Sequence, residues 1–244
     1  MPESASPAGV PTLKPLPDGF ARTCGALHRL AEGVIKVARE HTSGNFSLIA
    51  TPGGFGTPVF GPDDAQVRVE GAELIVRKGA EEKRAPITSL RAAAELCGDL
   101  VPGDLALDDG ELGIDEACSR ALGDWYGFGE FVLDGLRQGA AFDDEATEAT
   151  LWPEHFDIAI ELGAQDAGRR ANYGFSPGDA DHEEPYLYVG PWTPQPAAEL
   201  WNGKGFSGAE LGHSELIAAA DQSAAALDFC NTRKQALSET KAPD

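Results

Sequence analysis

Residues 155–190, HFDIAIELGAQDAGRRANYGFSPGDADHEEPYLYVG, decide the fold. Three runs within them, 155–162, 169–175 and 185–190, have the length and the apolar–polar alternation of β-strands. Turn-forming residues separate the runs, and strands joined by short connections pair antiparallel, so the stretch predicts a meander. In its first strand Phe156, Ile158, Ile160 and Leu162 point to one side, and His155, Asp157, Ala159 and Glu161 to the other. In its last strand Tyr186 and Tyr188 share a face opposite Leu187 and Val189.

Working outward, a helical pattern precedes the meander, running from Ile114 through Ala117, Ala121, Trp125, Phe128, Val132 and Leu136. Gly127 and Gly129 interrupt it, and glycine costs about 1 kcal/mol in a helix interior, so a break is expected there. A final helix follows over about 213–236, with Leu216, Ala220, Leu227 and Cys230 on one face. The first half has the same order. An amphipathic helix covers 21–41, with Leu27, Leu30, Val34 and Val37 on one face. The strand-like NFSLIAT (45–51) comes next, then a hairpin in QVRVEGAELIVRK (66–78) turning at Gly71, then a helix from about Ser89 to Cys97.

Helix, antiparallel strands, helix therefore occurs twice. The expectation is an α+β fold, with an antiparallel sheet or sheets of six to seven strands packed against about four helices. Residues 1–19, with five prolines, are expected to be a flexible arm, and 238–244 a loose tail. A single globular domain would fill 20–237, with similar halves at 20–100 and 112–237.

Forty acids against 19 bases leave a formal charge of −21, which repels phosphate backbones and anionic lipid. Nucleic acid and membrane partners are therefore not expected. No apolar run approaches the roughly 20 residues needed to span a bilayer, and the N-terminus lacks a signal-peptide pattern. A cytoplasmic location follows as the expectation. Cys24, Cys97, Cys118 and Cys230 are too scattered for a zinc knuckle or a redox pair, and each lies in an apolar helical stretch as a buried thiol would.

Chemistry concentrates in the decisive stretch. His155 and Asp157, two apart on one strand face, stand side by side, the pairing by which a carboxylate orients an imidazole as a base or metal ligand. The loop Ser176–Glu184 adds Asp179, Asp181, His182 and Glu183. It joins the second and third strands at the end where the first begins, which brings it near His155. Together His155, Asp157, Asp179, Asp181, His182 and Glu183 make a candidate shell for a divalent metal ion, with metal-assisted hydrolysis as the natural reaction. Tyr173, Tyr186, Tyr188 and Trp192 are the candidate walls of a small-molecule pocket. The alternative is a non-catalytic interaction protein whose Tyr/Trp face covers a partner or a second copy, which leaves a homodimer open. The glycines of TPGGFGTPVFGPDD (51–64) lead into Pro58 without a lysine or a helix, so they read as a wide turn and not a phosphate loop. No GxSxG elbow or HExxH helix is present.

Overall fold

The computed structural model describes residues 11–196 and 199–239. Helix α1 (Phe20–Leu30) continues through one π-helical turn, Ala31–Ile35, into α2 (Lys36–Ser43). Five strands follow: β1 (Ile49–Thr51), β2 (Gly54–Gly56), β3 (Ala65–Glu70), β4 (Glu73–Lys78) and β5 (Glu81–Pro86). They pair antiparallel with their neighbours in chain order to form the first sheet. Helix α3 (Leu90–Cys97) starts at Ser89, whose hydroxyl accepts from the amide of Ala92 (3.1 Å).

The second half opens with α4 (Glu116–Gln138), capped by Asp115, which accepts from the amide of Cys118 (2.9 Å). Next come β6 (Thr150–Trp152), β7 (Asp157–Leu162), β8 (Ala171–Ser176), β9 (Tyr186–Pro191) and β10 (Ala209–Gly212), again a simple antiparallel meander. Short α5 (His213–Ala218) and α6 (Gln222–Glu239) close the chain. The fold is α+β, as expected, with the helix–strands–helix order repeated, but it has ten strands in two sheets where six or seven were expected.

Helix α4 is the shared core. It packs against β1, β2 and β3 of the first sheet, against β7 and β8 of the second, and against α1 and α6. Trp125, Tyr126, Phe128, Val132 and Leu133 on it are fully buried. The two sheets also touch directly, through a two-way backbone bridge between Leu48 and Leu151 (2.8 and 2.9 Å).

The break expected at Gly127 and Gly129 does not occur. Packing supplies the reason, because a methyl group at Gly129 would stand 2.9 Å from the ring of Phe175 on β8. Close approach there, and the burial it allows, outweighs the propensity cost. At Gly123 a methyl would lie 2.6 Å from the backbone nitrogen of Gly54. The same contact bears on the 51–64 segment, which is not one turn throughout: residues 54–56 form β2, pressed against α4, and 57–64 make the turn to β3.

The final helix is two helices, because Asp221 starts α6 afresh by accepting from the amide of Ala224 (2.9 Å). Part of the expected arm is anchored. Leu13 is 5% exposed, and Gln222 bonds both its amide (2.7 Å) and its carbonyl (3.1 Å). Residues 1–10 of that arm, and 240–244 of the tail, lie outside the described residues. All four cysteines are free and buried. Among the described residues no helix is long and apolar enough to cross a membrane.

Candidate functional site

The inner face of the second sheet, with Leu151, Ile158, Ile160, Leu162, Phe175, Leu187 and Val189, belongs to the core. Its outer face has a hollow at its centre, which His28 of α1 also borders. Across the strands the register aligns Thr150 with Ala159, Ala159 with Gly174, Gly174 with Tyr188, and Tyr188 with Glu210. The next row holds Trp152, Asp157, Ser176 and Tyr186. Alanine, glycine and serine at the middle of a sheet face leave space that longer residues at the rim enclose. The result is an open cavity of about 1240 Å³.

Tyr188 lies down on the floor, where a methyl group at Gly174 would sit 2.6 Å from its ring. Its hydroxyl donates to Oδ2 of Asp157 in a short hydrogen bond. Among the described residues Oδ1 of Asp157 has no hydrogen-bond partner, although the residue is only 7% exposed. A buried carboxylate oxygen without a donor costs about 1–3 kcal/mol or more. Burial pushes the Asp157 carboxyl above the usual carboxylate range, and the Tyr188 hydrogen bond and nearby His155 only partly offset it. Burial also drives the Tyr188 phenol well up, with the Asp157 charge adding to the effect.

Strain positions Asp157. Phe156, just before it, has φ +56°, an outlier for a bulky side chain. Three contacts hold it there. Tyr126 donates to its carbonyl (2.6 Å), Phe55 packs edge-on at 5.0 Å, and the imidazole of His28 stacks in parallel at 5.0 Å. Nε2 of His28 in turn donates to the carbonyl of Pro153 (2.8 Å). The turn before β7 is thus clamped by α1 and α4, and such over-determined strain clusters at functional sites. It also shortens the expected first strand of the meander, so His155 sits in the turn, exposed, while Asp157 begins the strand.

At the other end of the cavity the loop 177–185 is held by His182. Its Nδ1 meets Asp179 (2.8 Å) and its Nε2 meets Glu210 on β10 (3.0 Å). Burial alone would lower this imidazole, but the two carboxylates prevail and raise it above its ordinary value. Asp179 and Glu210 are both lowered. Burial works against the shift in each, and the hydrogen bonds from Tyr186 and His182 to Asp179, and from Lys204 and His182 to Glu210, override it. Tyr186 donates to Asp179 (2.7 Å) and packs at a tilt of 31° on His182, with ring centroids 4.2 Å apart. Phe206 completes an aromatic wall, 6.5 Å from Tyr186 and 6.2 Å from Tyr188.

The expected residues divide accordingly. His155, Asp157, Asp179, Asp181, His182, Tyr186 and Tyr188 all line this one cavity. Glu183 does not, and borders a smaller hollow of about 200 Å³ beside α1. Tyr173 is no wall: paired with Ile160 and Val189 on the inner face, it is 1% exposed in the core. Trp192 also lies outside the cavity lining, 47% exposed, bonded through Nε1 to Asn172 (3.0 Å) and packed under Arg170. The six candidate ligands do not converge as a shell. Both nitrogens of His182 are occupied by carboxylates, and a metal needs one of them free. Among the described residues no group of three or more histidine, cysteine, aspartate or glutamate side chains is placed to hold a metal ion.

Sequence reasoning missed His28, Phe46, Lys204, Phe206 and Glu210. The first two come from the other half of the chain. The glycines flanking Lys204 and Phe206 marked a loop but not its destination. No protein-family model, curated protein or solved structure matches the chain.

Proposed function

We propose that the protein binds a small organic molecule in the cup on the outer face of its second sheet. The observation that carries this reading is Asp157, which lines a 1240 Å³ cavity and whose Oδ1 is buried and, among the described residues, unpartnered. Buried polar atoms are almost always satisfied, so one left open beside a cavity with aromatic walls is a seat for a ligand's donor. Tyr186, Tyr188 and Phe206 supply flat apolar surface, and the His182 clamp holds the loop that forms one rim.

A hydrolytic role through a metal finds less support, since His182 is engaged on both sides. The second reading, an interaction face, rests on Trp152, 38% exposed and 6.2 Å from Phe46 at the rim. Four free, buried thiols fit a reducing, cytoplasmic setting for either role.

A thermal-shift screen of a diverse small-molecule library tests the proposal, run on the wild type and on Thr150→Trp, which fills the cup from its edge strand. Compounds that raise the wild-type Tm and leave the variant unmoved are expected. If every stabilising compound acts equally on both, the cup is not the site. A concentration-dependent dimer that Trp152→Ala abolishes would favour the interaction face.

A further inference from the structure

We propose that the ligand of the cup is an organic cation, an amine or guanidine whose N–H group donates to Oδ1 of Asp157 while its apolar body rests on the aromatic wall. This inference rests on the ligand-binding reading above and specifies the chemistry of the guest.

The charge balance of the cavity argues for it. Six carboxylates border the cup: Glu148, Glu154, Asp157, Glu161, Asp179 and Asp181. Four are already balanced by a basic group, Glu148 by Arg137, Glu154 by Lys36, Glu161 by Arg170 and Asp179 by His182. Among the described residues Asp157 and Asp181 make no ion pair. Lys204 is the one lysine or arginine bordering the cavity among these residues, and its ammonium is bound to Glu210 (3.0 Å). The groups bordering the cup are therefore short of lasting positive charge: His155 is near Asp157 but forms no ion pair with it, and the deficit is deepest at Asp157, the least exposed of the unbalanced acids.

A neutral donor could occupy Oδ1 but would leave a desolvated carboxylate uncompensated. A cation supplies both the hydrogen bond and the charge, and at a buried carboxylate the pairing strengthens. An anion meets repulsion from both ends of the cavity. The aromatic wall is compatible with the same guest, since the faces of Tyr186, Tyr188 and Phe206 attract cations and stack on flat apolar groups. At this volume the cup holds more than a bare ammonium head, so the cation would be the anchor of a larger molecule.

Isothermal titration calorimetry with phenethylamine, its N-acetyl derivative and phenylpropionate tests the inference with one aromatic body in three charge states. Phenethylamine is expected to bind at least about tenfold more tightly than the N-acetyl derivative, and phenylpropionate not at all. In Asp157→Asn, which keeps an acceptor for Tyr188, the preference for the cation should fall to less than about threefold. Circular dichroism and Tm establish that this variant is folded. Equal or tighter binding of the neutral or anionic probe overturns the cation, as does a preference that survives Asp157→Asn. If no probe binds while other compounds stabilise the wild type but not Thr150→Trp, the cation is overturned and the binding proposal stands. If nothing from a diverse library engages the cup, both fall.

Discussion

The two sheets have the same number of strands, the same meander order and the same central helix, yet their outer faces are opposites. On the first sheet the outward positions are long and polar, nearly all charged: Gln66, Arg68 and Glu70 on β3, Glu73 and Arg77 on β4, Glu82 and Arg84 on β5. They neutralise one another, Arg68 with Glu70, and Arg84 with Glu73 and Glu82 at 3.2 Å each. Ile75, in register between Arg68 and Arg84, is 1% exposed. On the second sheet the central positions are Ala159, Gly174 and Ser176, the neighbours are aromatic or acidic, and one carboxylate oxygen has no partner. A sheet face finished with paired long side chains is a surface. A face left short in the middle, with an unpaired charge, is a receptacle. The same topology thus serves stability on one side and recognition on the other, and a few side-chain lengths make the difference.

The largest effect should come from the helix that both sheets share. Gly123→Ala drives a methyl into the backbone of Gly54 on the first sheet, which cannot yield locally, and should cost about 3 kcal/mol in denaturant unfolding. Gly129→Ala meets the side chain of Phe175 on the second sheet, which can shift, and should cost about 1 kcal/mol. Equal costs would mean that α4 seats the two sheets alike.

Next is the His182 clamp. Its folded pKa is raised, so its contribution is complete below the usual imidazole value of about 6.5 and is lost as pH rises through the higher folded value. His182→Ala should cost about 1–2 kcal/mol in mild acid and clearly less at alkaline pH, as read from urea midpoints across pH.

Asp157→Asn should do the reverse and stabilise the protein by about 1 kcal/mol at neutral pH. The sign follows from its raised folded pKa. Below the carboxylate range both states are protonated and the substitution gains nothing. As pH rises through about 4 the unfolded chain ionises first, which weakens the wild type until the folded carboxyl ionises too. A stabilising substitution that removes the preference for the cation is the signature of a site kept for function. The smallest effect belongs to the first sheet, where Arg84→Ala should change stability by less than about 0.5 kcal/mol, its ion pairs being half exposed.

Much of this was legible in the sequence, and the misses have physical causes. The β7–β8–β9 meander and the β3–β4 hairpin announce themselves by alternation. Strand β5, Glu-Glu-Lys-Arg-Ala-Pro, has no apolar alternation because it is an exposed edge. Strands β2, β6 and β10 are three or four residues long, too short for a period to show. Gly129 read as a breaker because its partner, Phe175, is distant in sequence. Tyr173 could have been assigned to the core, since it shares its alternation with Phe175 while Asn172, Gly174 and Ser176 take the other side. The shared location of His155, Asp157, Asp179, Asp181 and His182 followed from meander geometry alone. The hollow did not, because its three small residues lie on two strands and acquire meaning only through register. Nor did the clamp, whose second carboxylate, Glu210, comes from a strand that alternation does not reveal.

A crystallographic fragment soak, scoring where hits land on the two outer faces, tests the account most directly. Hits are expected to gather on the second sheet, with a nitrogen donor on Oδ1 of Asp157 and a ring against Tyr186 or Phe206, while the first sheet stays bare. Hits spread over both faces, or a second-sheet cup left empty while the paired arginines and glutamates of the first sheet collect ligands, would contradict it.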